Sequence, residues 1–331
     1  LARSAGHGMI VTGLIFAAIL GALSLVVGLP FKIYDTFVIE ARYGFNKTTP
    51  ATFIGDLVKE ILLGVVLGGA VLAGVLWFFT NAGPLAWLYA WGALAVFQLV
   101  LTYIAPVVIL PLFNKFTPLE DGELRQAIEK YAASQKVALA GIFTIDGSKR
   151  STKSNAYFTG FGKTKRIALF DTLIANHFTE ELVGVLAHEI GHAKLGHIKH
   201  FVVVSLVSSL LMLWILSCFI AEPKLYEAFS VSFDPIGGHT PIYAGLVLFG
   251  FLYAPIAMIL GLLGNILSRK HEFEADAFAA KTTNTADTMI NALKKLSVDN
   301  LSNLTPHPLK VFLEYSHPPV LARIAALRRT G

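Results

Sequence analysis

Five runs of this chain contain no Asp, Glu, Lys or Arg: Met9 to Leu29, Ile61 to Phe79, Ala86 to Phe113, Phe201 to Ile220 and Ile242 to Leu267. About 20 apolar residues in a helix cross the roughly 30 Å hydrocarbon layer of a bilayer. Each run is close to or above that length, so the chain reads as a multi-pass membrane protein. Composition agrees, since 54% hydrophobic against 15% charged residues over 331 positions is too charge-poor for an ordinary soluble domain. The first run has no short apolar core ending in a small-residue cleavage site, so it reads as a retained span and not as a signal peptide. Because the chain opens on Leu1 and enters a span within ten residues, five is a minimum and further spans are expected before it.

Threading the runs alternately puts 30–60, 114–200 and 268–331 on one side. Of the 27 Lys and Arg, all but Arg3 and Lys224 fall there. The positive-inside rule makes that side the cytoplasm. The net charge of +5 does not indicate nucleic acid, because the basic residues are scattered and lack the interleaved aromatics of a single-strand binder. The lone Cys218, inside the fourth run, allows no intramolecular disulfide and reads as a buried packing residue.

Four segments are expected: membrane helices over 1–113, a soluble segment with a small sheet and a metal-motif helix over 114–200, a transmembrane hairpin over 201–267, and a C-terminal cap over 268–331. Within the second, Phe116 to Gly122 reads as turn-rich and is followed by a helical pattern through Ala133. Then the period changes. Gly141 to Ile145, Ala156 to Thr159 and Arg166 to Phe170 read as short strands, with a hairpin turn over Gly160 to Lys165. Asp171 or Thr179 is placed to cap the following helix, with Glu180 and Glu181 in its first turn. With no Pro between Thr179 and Ile220, that helix is expected to run unbroken into the fourth span.

His188-Glu189-Ile190-Gly191-His192 sets two imidazoles at i and i+4 on one helix face beside a carboxylate. Two neutral imidazoles and one carboxylate suit zinc and leave a tetrahedral position for water, whose proton Glu189 would remove. The plainer alternative is a solvated helix face with scattered His. Against it stands the apolar lead-in Leu182 to Ala187, which half-buries the motif.

A third ligand is needed. A His at 198 would complete a different zinc pattern, but that position is Ile198. His197 lies about 180° round a continuous helix from His188 and reads as a polar anchor at the membrane boundary. Glu272 fits, with Asp276 one turn later placed to accept a hydrogen bond from a ligating His, while Glu274 faces away and reads as solvated. The 80 residues between His192 and Glu272 are accounted for by a transmembrane hairpin that returns the chain to the same side. Tyr315-Ser316-His317-Pro318-Pro319 with Arg323 either supplies donors to an oxyanion or is a Pro-capped terminal helix with surface His and Arg. The residues alone leave both open. The strand around Asn155, Ala156 and Tyr157 is a candidate edge for an extended peptide substrate, the alternative being an ordinary internal strand.

Together these residues resemble the type I CAAX prenyl endopeptidases, integral-membrane zinc proteases of the gluzincin kind. The resemblance rests on Tyr34 to Glu40 with Gly44-Phe45-Asn46, Phe113 to Leu119, Asp146 to Ser151 running into Ser154 to Tyr157, and Lys165 to Leu173. It continues through the metal helix with Gly196-His197, Ser268 to Asp276 and Ser316 to Pro319. It implies a mainly α fold, with membrane helices (seven in the family) ringing an internal chamber under a soluble zinc-metalloprotease cap. It also implies one zinc per chain on His188, His192 and Glu272, Glu189 as base, and His317 and Arg323 facing the reacting carbonyl. The implied substrate is a prenylated protein cut after the modified cysteine, with loss of three C-terminal residues. The expected setting is an endoplasmic reticulum or bacterial inner membrane. The chain departs from the pattern in lacking the first two spans and in carrying only Glu180-Glu181 where some members have a long charged insertion. Two rival readings remain: a quality-control zinc protease of the heat-shock metalloprotease type, and a zinc-dependent transporter or receptor, which would need ligands but no base.

Overall fold

A computed structural model describes residues 7–160, 165–231 and 241–330. These fall into two compact units, one of 1–39, 50–101 and 203–260 and the other of 40–49, 102–202 and 261–331.

The five apolar runs fall on the helices Met9–Glu40, Pro50–Asn81, Gly83–Phe113, His197–Phe219 and Ile242–Thr283, each long and apolar enough to cross a membrane, with only Ile220 of the fourth run lying past its helix end. Most exceed the runs that announced them, because a helix continues into polar residues once its backbone is satisfied. Pro106 lacks the N–H for a regular turn, and a π-helical turn over Ala105–Ile109 absorbs the defect. In the first unit Leu76, Leu213, Leu216, Tyr243 and Phe249 form a buried cluster. Val26, Val27, Val65, Phe251 and Met258 are each about two-thirds exposed, an apolar surface suited to lipid. Cys218, expected to be buried, is on the exposed side, its thiol 3.4 Å from the Trp214 carbonyl. A run that is apolar all round carries no periodicity to say which face packs.

The second unit holds a four-stranded mixed sheet. Its strands are β1 (Phe116–Pro118), β2 (Gly141–Ile145), β3 (Ala156–Thr159) and β4 (Arg166–Phe170), in the order β1-β2-β4-β3. β2 and β4 run parallel, while β1 and β3 are antiparallel edges. Three strands match their expected bounds. β1 corrects the turn-rich reading of Phe116 to Gly122; it is three residues long and ends on Pro118, which an edge strand tolerates. Residues 161–164 of the expected hairpin turn lie outside the described residues. Ile142, Ile167 and Leu169 meet Leu182, Leu186 and Ile190 of the metal-motif helix Thr179–Lys194 in one core, with Ala156 and Phe158 packed against it.

Neither expected cap starts the metal-motif helix. Phe178 occupies the cap position, and Glu181 accepts its N–H at 3.0 Å while pairing with Lys295 at 2.6 Å. Asp171 instead opens the short helix Asp171–Asn176, where its carboxylate takes the N–H groups of Thr172 and Ser148.

The larger correction concerns continuity. The metal-motif helix does not run into the fourth span: it stops at Lys194, and a new helix begins at His197. Gly196 sits between them at φ +76°, a left-handed conformation that suits a residue without Cβ and ends helices without any Pro.

The helix Ile242–Thr283 has 42 residues, about 63 Å at 1.5 Å per residue. A bilayer uses roughly 20 of them. The last turns project beyond and carry Glu272 and Asp276 to the metal-motif helix. Gly191 permits the approach, since a Cβ there would lie 3.2 Å from the Ala275 Cα.

Candidate active site and metal centre

His188 and His192 leave the metal-motif helix on one face, with their Nε2 atoms 3.0 Å apart. Glu272 closes a triangle with them. Its Oε2 is 3.5 Å from His188 Nε2 and its Oε1 3.3 Å from His192 Nε2. Ligands held at about 2.0–2.2 Å in a tetrahedron are roughly 3.3 Å apart, so these three donors fit the edges of one small ion. One more observation favours a cation. Glu272 Oε2 is buried without a well-directed hydrogen bond. Burial works against a proton on His188, but hydrogen bonds to Asp276 and Glu272 outweigh it and push the ring up to about 9. With Glu189, three carboxylates and one guanidinium leave negative charge in excess.

Asp276, 1% exposed, accepts from His188 Nδ1 at 2.9 Å. Arg323, from the terminal helix Val320–Thr330, grips the same carboxylate in bidentate fashion, Nε to Oδ2 at 2.8 Å and Nη2 to Oδ1 at 2.6 Å. Its Nη1 is 3.1 Å from Glu272 Oε2. Arg323 is therefore no surface residue: it joins Asp276 to Glu272 and fixes both. His317 is exposed, with Nε2 3.6 Å from Glu272 Oε1 and Nδ1 hydrogen-bonded to Ser316. Burial pushes the Glu189 carboxyl up, opposed by His188 and His192.

Asn155, Ala156 and Tyr157 stand apart from this cluster, at the start of the edge strand. Phe170 N–H donates to the Asn155 carbonyl. By antiparallel alternation Tyr157 and Thr159 then bond β4, while Ala156 and Phe158 turn their backbone groups outward. The Ala156 N–H is taken by the Asn155 side chain at 2.8 Å, which leaves Phe158 as the outward donor.

On a continuous helix His197 would lie too far round to reach the motif. The break at Gly196 voids that angle count, and His197 Nδ1 lies 2.9 Å from His192 Nδ1. Glu274, read as solvated, is half-exposed and holds His197 Nε2 at 3.0 Å. Gly196 was the signal that could have shown both.

Two family models cover the chain: CAAX prenyl protease N-terminal, five membrane helices, over residues 1–115, and peptidase family M48 over residues 118–331. The chain belongs to peptidase family M48. As an M48 protease it is a membrane metalloendopeptidase, and the family implies a metal cofactor. It is 43% identical over 306 residues to a CAAX prenyl protease 1 homolog of Oryza sativa subsp. japonica, covering 92% of this chain and 70% of that one. It is 35% identical to the Homo sapiens CAAX prenyl protease 1 homolog, covering 96% and 74%. A crystal structure of S. mikatae Ste24p superposes with TM-score 0.92 at 38% identity, covering 97% of this chain and 77% of that chain. This M48 chain thus spans about seven tenths of its curated relatives.

Asp276→Asn in this peptidase is expected to keep the fold and weaken metal affinity by about ten- to a hundredfold, the range for a residue that orients a ligating His. Chelator competition on the purified protein checks it; wild-type affinity would remove Asp276 from that role.

Proposed function

We propose that this protein cleaves CAAX-type prenylated substrates near their C-terminus, releasing three residues, with one zinc held by His188, His192 and Glu272. The observation that carries the reading is the convergence of those donor atoms within 4.8 Å of one another in an M48 chain. Zinc bound there would polarise the scissile carbonyl and lower the pKa of an attacking water. Glu189 takes the water's proton and later delivers it to the leaving amine; a carboxyl raised by burial suits both transfers. Asp276 holds His188 in the tautomer that presents Nε2, and Arg323 keeps Asp276 and Glu272 ionised and fixed. His317, exposed beside Glu272, donates to the oxyanion as it develops. The catalytic side is cytoplasmic, as the placement of Lys and Arg supports.

The peptide backbone adds to the outer edge of β3 beside Asn155, Ala156 and Tyr157, pairing with the outward groups of Ala156 and Phe158. Tyr157 faces β4, so Pro at that position would break the sheet itself; Phe158→Pro removes the outward donor instead. That variant is expected to lose about tenfold in kcat/KM for a CAAX peptide relative to Phe158→Ala, which loses the same packed ring but keeps the N–H, the worth of one hydrogen bond of about 1.4 kcal/mol, with zinc content intact in both. Unchanged kinetics in a folded, zinc-loaded protein would discard β3 as the substrate edge.

A transporter or receptor would need the ligands without a base. The experiment that separates it pairs wild type with Glu189→Gln on a CAAX peptide: the enzyme reading expects cleavage by the wild type and none by a variant that still binds zinc, and a wild type that binds zinc without cleaving would favour transport.

A further inference from the structure

The reading of His192 as a ligand through Nε2 leaves its Nδ1 to be satisfied, and a second ring is placed there. His197, only 1% exposed, presents Nδ1 at 2.9 Å, with ring planes 73° apart. Its Nε2 reaches Glu274 Oε2 at 3.0 Å. Behind it His271 stacks with centroids 3.9 Å apart and planes at 8°, and His271 Nε2 is 3.4 Å from His200 Nδ1.

His197, His271 and Glu274 also bring donor atoms within 4.8 Å of one another, which raises the possibility of a second metal site. The stacking argues against it. An imidazole donates its lone pair in the ring plane, and two near-parallel planes share no point at the roughly 2.0–2.1 Å that a ligated nitrogen requires. Both nitrogens of His197 also have partners already. Hydrogen bonding explains the cluster better.

The tautomers then follow from Glu274 inward. A carboxylate only accepts, so His197 carries its proton on Nε2 and offers a bare Nδ1. His192 must donate from Nδ1, which leaves the Nε2 lone pair free for the metal. We propose that His197 and Glu274 are positioning residues for His192, a two-step hydrogen-bond chain that fixes the tautomer and aim of this ligand as Asp276 and Arg323 fix His188. The proposal rests on the zinc reading above. The two arms differ in strength. His188 meets a buried carboxylate directly, whereas His192 meets a neutral ring backed by a carboxylate whose side chain is 42% exposed.

The test is zinc affinity of the full chain in detergent, by chelator competition in a Glu189→Gln background, so that no turnover enters the readout. His197→Phe keeps a ring against His271 but offers no acceptor, and should weaken zinc by about ten- to a hundredfold. Glu274→Ala, at a more solvated position, should cost less than about tenfold. His197→Asn supplies a side-chain oxygen that takes the His192 Nδ1 proton directly. It should recover affinity to within about threefold and make the protein indifferent to Glu274→Ala, which a merely structural role would not do. If His192→Ala loses zinc while His197→Phe and Glu274→Ala both bind as wild type, the chain does not position His192, although the metal reading stands. If His192→Ala itself binds normally, the metal reading falls first. Should His197→Phe fail to fold, Glu274→Ala decides: equal losses in the His197 and His197→Asn backgrounds overturn the proposal.

Discussion

Glu189→Gln is expected to keep one zinc per chain and lose about 10²–10⁴-fold in kcat, the span attributed to a positioned general base. Glu189 sits between the two His of the motif but is not among the three converging donors, so its removal leaves the ligand triangle whole. Gln fills nearly the same volume and can hold a water, but it cannot accept the proton. Burial raises the Glu189 carboxyl from its usual range while His188 and His192 pull it back. A carboxyl raised in this way is a stronger base than a solvated one. Zinc analysis paired with single-turnover cleavage separates this outcome from a ligand role: loss of metal in Glu189→Gln would show that the carboxylate ligates.

Glu272→Ala and His188→Ala are expected to lose bound zinc almost completely on dialysis against a weak chelator. On the proposed assignment three protein donors hold the metal, and removing one leaves two, too few for a stable tetrahedral centre. Glu272→Ala carries a second penalty. Arg323 Nη1, 3.1 Å from Glu272 Oε2, would be left facing the metal position with one less negative charge to balance it. Repulsion between guanidinium and cation then adds to the missing bond. Glu274→Ala must retain zinc far better than Glu272→Ala. The reverse order would exchange the two carboxylates and undo the ligand assignment.

Much of this architecture was legible because its signals are local. The charge-free runs marked the membrane helices, and alternation with β-branched and aromatic residues marked β2, β3 and β4 to the residue. The i, i+4 spacing of His188 and His192, and of Glu272 and Asp276, was enough to expect each pair on one face. What failed was judged by the absence of a signal. The lack of Pro implies continuity, yet Gly196 in a left-handed conformation ends the helix as surely as Pro would. That single residue redirected His197 to His192. β1 was too short and too proline-bound to alternate. The union of Arg323 with Asp276 joins residues from separate helices, and no periodicity links them. Cys218 could not be oriented in a helix that is apolar on every side.

The central claim is that this M48 chain is a zinc endopeptidase acting on CAAX substrates. It is tested most directly by mass spectrometry of a farnesylated CAAX peptide incubated with purified protein. The account predicts two products, the peptide ending at the farnesylated cysteine and the free tripeptide, both absent with Glu189→Gln and with zinc-stripped enzyme. Cleavage at other bonds, or tripeptide release that persists without zinc or without Glu189, would contradict it.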